Sequence, residues 1–169
     1  MFGDIERSRI IAYTAAFIGL IALGSWISLP LGNIPLTLQT LFILLAGIIL
    51  HRYGALPVLL YVVLGVLGLP LFHNGTAGIG VLLGPSGGYL IGFIFAALVV
   101  GFSYEHTSRL IRIGGIVLGT FVIYLFGVAW LMYSMNLGFV PAVVTGVLPF
   151  LPGDAIKAAA ACLIGERVA

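Results

Sequence analysis

No Lys, Arg, Asp or Glu interrupts this chain between Arg9 and Arg52, between Arg52 and Glu105, or between Arg112 and Asp154. Uncharged stretches that long cannot supply a water-facing surface. Soluble domains carry roughly 25% charged residues; here 7% of 169 residues are charged and 62% are hydrophobic. The solvent for most of the chain is therefore lipid. A spanning helix needs about 20 apolar residues at about 1.5 Å rise each. The length thus allows five or six spans and no soluble domain of useful size beside them, and residues 1–169 are expected to form one transmembrane domain.

Clusters of Pro and Gly punctuate the sequence and divide it into six expected spans, at about 9–29, 36–50, 55–69, 85–104, 111–135 and 149–164. The N-terminal charges resemble the start of a signal peptide. The apolar run after them continues to Leu29 without an A-x-A cleavage site, so it reads as the first span. With six spans, Arg7, Arg9, Arg52, Arg109, Arg112 and Arg167 fall on one side of the bilayer together with Asp4, Glu6, Glu105 and Glu166. The loops of the opposite side carry no charge. Positive charge stays cytoplasmic, so both termini are expected on the cytoplasmic side of a cell membrane. The fold class is an all-α, multi-pass membrane protein with its outer loops folded over a pocket. A net charge of +2 is too small and too dispersed for nucleic-acid binding. The single cysteine, Cys162, excludes an internal disulfide and a multi-cysteine metal site.

Asp154 and Lys157 fit neither side. They lie in "LPGDAIK" at the outer end of the sixth span, and Lys157 is the only lysine. Ionisable groups at membrane depth are costly and usually face a cavity. At i, i+3 the two share a helix face, either as a self-neutralising ion pair or as an acceptor and a donor for a ligand of mixed polarity. Other polar groups cluster at the same level. In "NIPLTLQT", Asn33 or Thr37 can cap a helix starting near Pro35, and Gln39 can offer an amide to a cavity. In the long apolar loop "LPLFHNGTAGIGVLLGPSGGYLIGF", Asn74 serves either an N-G turn or a ligand. Such backbone at membrane depth must be buried in protein or line a cavity. Gly84, Gly88 and Gly92 suit close helix packing, with Tyr89 in their midst. On the first span, Ala12 and Ala16 form a small-xxx-small step. It fits packing inside the bundle or docking of another membrane protein.

Catalytic patterns are missing. No G-x-x-x-x-G-K-[ST] surrounds Lys157. H-E-x-x-H is absent. Asp154 has no second membrane aspartate beside it. Binding, rather than chemistry, is the expectation: no enzyme, no cofactor and no metal.

The order of "IPLTLQTLFILLAG", "YVVLGVLGLPLF", "GIGVLLGPSGGYLIGF" and "LPFLPGDAIKAAAA" resembles the BioY family, the biotin-binding S components of energy-coupling factor (ECF) transporters, over essentially the whole chain. The resemblance implies six helices, cytoplasmic termini and a vitamin site near the outer face. It implies Asp154, Lys157, Asn74, Tyr89, Gln39 and Thr37 as ligand-binding residues, with biotin as the transported ligand. Ala12 and Ala16 would dock against a transmembrane coupling protein served by two ABC ATPase subunits, which accounts for the missing P-loop. A stand-alone, oligomeric biotin facilitator and an S component for another vitamin are the competing expectations.

Overall fold

The computed structural model describes residues 2–31 and 34–168, and of residues 2–4 and Leu31 the backbone alone. Helix α1 (Phe2–Trp26) runs from the charged N-terminal turn through the first apolar stretch without a break. A two-stranded antiparallel hairpin follows, β1 (Ser28–Leu31) and β2 (Ile34–Thr37), with Pro30 opposite Pro35 and Ser28 opposite Thr37. This corrects the all-α expectation and the helix start near Pro35. Proline donates no ladder hydrogen bond, and a two-stranded ribbon made only of edges tolerates it. Asn33, the other candidate cap, lies outside the described residues.

The remaining elements are α2 (Gln39–Leu50), α3 (Ala55–Val66), α4 (Ile79–Leu83), α5 (Gly87–Tyr104), α6 (Arg109–Ser134), α7 (Phe139–Gly146) and α8 (Leu151–Val168). Short 3-10 turns cover His51–Tyr53 and His73–Gly75. The chain turns by 117° between α2 and α3. A Cβ on Gly54 would press on the backbone of Ala46 and Gly47, so only glycine lets α3 start this close to α2. The most extensive packing is between α5 and α6. Gly88 and Gly92 make it possible: a Cβ on Gly88 would strike Trp130 and the Phe126 carbonyl, and one on Gly92 would lie 3.0 Å from the Ile123 Cα. Gly84 precedes α5, and its carbonyl accepts a hydrogen bond from Trp130 Nε1 at 2.9 Å.

Among the described residues, α1, α5 and α6 are each long and apolar enough to cross a membrane, and the bent pairs α2–α3 and α7–α8 pass the same test jointly. The expected count of six spans is finer than this. α8 has the length, but it carries Asp154, Lys157, Glu166 and Arg167. Leu20, Leu23, Leu59, Phe95, Phe121 and Leu163 stand on the exterior. Such a wide apolar outer surface is the mark of a lipid-facing protein.

The long helices share a polarity. At one end, Arg52 makes a two-pronged ion pair with Glu105 at 2.7 and 2.9 Å, and Arg109 meets Glu166 at 2.6 Å. Glu6 and Arg9 border the same groove as Arg52 and Glu105. At the other end, β2 and the starts of α2, α5 and α8 converge on a cavity.

Candidate functional site

Asp154 lies in the first turn of α8, where the helix dipole favours an acid. Its i+3 neighbour Lys157 shares its face, and both are almost fully enclosed, at 7% and 6% exposure. Lys157 Nζ donates to Asp154 Oδ1 at 2.7 Å and to the Thr37 carbonyl at 2.6 Å. The second contact ties the hairpin to α8 across most of the sequence. Tyr124, from the middle of α6, donates its hydroxyl to Asp154 Oδ2 at 2.5 Å. An ion pair buried in this way is a weak route to stability, but it is a ready source of oriented polar groups.

The space above this pair amounts to about 590 Å³ with its open mouth included. Thr37, Gln39, Tyr89, Asp154 and Lys157 all line it. Leu36, Phe72, Leu90, Phe93, Ile123 and Phe150 supply apolar wall. The Gln39 side chain is 5% exposed, and its Nε2 has no hydrogen-bond partner. A buried amide donor without a partner is costly, and Gln39 is one of the residues that line the cavity. Thr37 Oγ1 also accepts the Gln39 backbone N–H at 3.3 Å, a capping role at the start of α2.

The polar inventory can be counted from donor and acceptor chemistry. Lys157 has two donors engaged and one N–H left. Asp154 has one hydrogen bond on each oxygen and a lone pair left on each. Gln39 adds the Nε2 donor. The cavity floor therefore accepts N–H groups at one point and donates to carbonyl or carboxylate oxygens at two others. The Tyr89 hydroxyl is spent on the Gly146 carbonyl at 2.7 Å, leaving its ring as the contribution to the cavity.

Asn74 is not brought to the cavity wall. It adopts a left-handed conformation, φ 55° and ψ 24°, in the 3-10 turn, and its Oδ1 accepts from Ser28 Oγ at 2.9 Å. It thus fastens the hairpin to the loop after α3. Its neighbour His73 lines the cavity instead, and burial lowers the pKa of its imidazole. Ala12 and Ala16 are exposed on α1, turned away from the bundle interior.

Sequence reasoning passed over Tyr124 and Tyr61, and it reads His73 as an interfacial residue rather than a part of the site. A signal existed for the first two: a tyrosine hydroxyl inside an apolar span needs a partner. Tyr61, fully buried on α3, donates to the Leu71 carbonyl at 3.1 Å and packs edge-on against Phe72. His73 carried no such signal, because its place depends on how the loop folds back.

Apolar-faced helices around one enclosed, polar-floored cavity define a membrane protein with a small-molecule site. The BioY family model matches residues 4–169. The chain is 39% identical over 163 residues to a probable biotin transporter BioY of Pyrococcus horikoshii, covering 96% of this chain and 97% of that one. It is 42% identical over 154 residues to the biotin transporter BioY of Thermotoga maritima, covering 90% of each. Its fold is similar to the crystal structure of the S-component for biotin from an ECF-type ABC transporter, with a TM-score of 0.89 and 27% identity over 98% of this chain and 93% of the other. The chain belongs to the BioY family.

Proposed function

We propose that this chain binds biotin and carries it into the cell as the substrate-specific S component of an ECF-type ABC transporter. The observation that carries the reading is the cavity floor. The unpartnered Gln39 amide and the Asp154–Lys157 pair present, in one enclosed space, the acceptors and donors that a ureido ring and a carboxylate require. Asp154 takes a ureido N–H, and Lys157 and Gln39 donate to the carbonyl and the carboxylate. The thiophane ring and valeryl chain lie against Tyr89 and the apolar wall. Thr37 shapes the site through its carbonyl, which holds Lys157, and Asn74 through its grip on the hairpin at Ser28.

In this reading residues 1–169 work as one domain of six spans, formed by α1, α2, α3, α5, α6 and α8. The charged ends lie in the cytoplasm with both termini, and the cavity opens near the outer face. Ala12 and Ala16, exposed on α1, are the docking surface for the coupling protein, and two ABC ATPase subunits supply the energy in trans. Competition at the purified chain tests the ligand: unlabelled biotin should displace bound radiolabelled biotin, and thiamin and riboflavin should not. Displacement by either of those vitamins would move the assignment to another substrate. Uptake into vesicles containing this chain alone, undiminished without the coupling protein, would favour a solitary facilitator.

A further inference from the structure

Tyr124 stands outside the ion pair at the cavity floor but holds half of it. Its hydroxyl is buried and donates to Asp154 Oδ2, while Lys157 holds Oδ1. A phenol-to-carboxylate hydrogen bond is charge-assisted, short and directional. Without it, the carboxylate keeps Lys157 as its hydrogen-bond partner, through Oδ1. Lys157 has one N–H uncommitted and sits one turn along the same face. A freed carboxylate can turn toward Lys157 and take that N–H as well. Such a turn would consume the donor the ligand needs and swing the open lone pairs away from the cavity. Tyr124 lines the cavity beside Ile123.

We propose that Tyr124 is a positioning residue: its hydroxyl fixes which lone pairs of Asp154 face the cavity, and so sets the site's demand for a ligand N–H. The inference rests on the reading of the cavity as a site for a cyclic urea, and it assigns to α6 a part in specificity beyond the residues that touch the ligand directly.

The test is a cycle between protein and ligand. Tyr124→Phe keeps the ring and removes the hydroxyl. Calorimetry then compares biotin with a biotin methylated on its ureido nitrogens, in the purified full chain and in the variant. Biotin affinity should fall about tenfold or more in Tyr124→Phe, the scale for losing a hydrogen bond to a charged group. The methylated compound should bind both proteins equally weakly. In an Asp154→Asn background, Tyr124→Phe should add little to the loss already present. A merely structural role would lower affinity for both compounds by the same factor, and that parallel loss would overturn the proposal. So would unchanged biotin affinity in Tyr124→Phe. If Tyr124→Phe does not fold, Tyr124→Gln, which keeps a donor, replaces it: retained preference for biotin over the methylated compound supports the proposal, and lost preference overturns it. Failure of the unsubstituted chain to bind biotin would remove the reading of the cavity and this assignment with it.

Discussion

The Gln39 amide and the Asp154–Lys157 pair are opposite kinds of buried polar group, and their substitutions should behave oppositely. Gln39 Nε2 is enclosed without a partner, so Gln39→Leu removes a desolvated donor. The unfolding free energy in detergent should stay level or rise by about 1 kcal/mol, while biotin affinity falls. A stability loss with affinity intact would mark Gln39 as structural. Lys157→Met leaves Asp154 buried with Tyr124 alone and should cost about 3–5 kcal/mol. Adding Asp154→Asn should recover much of that cost without restoring binding. The outlier status of Asp154 and Lys157 was readable from the sequence because every other charge sorts to the opposite end. The Tyr124 contact was not: the i, i+3 rule links residues along one helix, and this bond joins α6 to α8. Asn74 could be read both as a turn residue and as a ligand contact, and only the folded loop places its side chain on Ser28.

Elements carry the site by being held at close range. α5 approaches α6 at Gly88, so Gly88→Ala should push the two apart at Trp130. It should destabilise by about 1–3 kcal/mol, with a matching loss of ligand affinity because Tyr89 follows Gly88 directly. Parallel unfolding and binding curves check this. The loop after α3 is fastened from both sides, with Ser25 Oγ donating to the Leu71 carbonyl at 2.6 Å and Tyr61 to the same oxygen. Its His73 has a pKa lowered by burial below the ordinary value of 6.5. The neutral ring's contribution is fully present above that ordinary value and is lost as pH falls through the lowered one. Loop stability and biotin binding should therefore weaken at mildly acidic pH, and His73→Gln should flatten that limb of the binding profile. The boundaries of α2, α3, α5, α6 and α8 were legible to within a few residues because Gly and Pro punctuate the apolar runs, whereas α1 begins at Phe2 rather than near Arg9, and α4 and α7 were not read. The hairpin was not, since "SLPLGNIPLT" is as apolar as the spans beside it and its prolines fit a helix start equally well.

At the scale of the whole molecule, the account rests on a division between a charged end and an uncharged, cavity-bearing end. In a Cys162→Ala background, a membrane-impermeant maleimide added to intact cells should label Asn136→Cys, and Thr107→Cys only after permeabilisation. The reverse pattern would invert the proposed orientation. Bulky replacement of Ala12 and Ala16 should reduce co-purification with the coupling protein and leave biotin binding intact, because neither residue borders the cavity. The central claim is that the chain alone forms the biotin site, and calorimetric titration of biotin into the purified protein addresses it most directly. The expected result is saturable binding of one biotin per chain that Asp154→Asn abolishes or weakens at least tenfold. Absence of binding by the folded chain, or equal binding by Asp154→Asn, would contradict it.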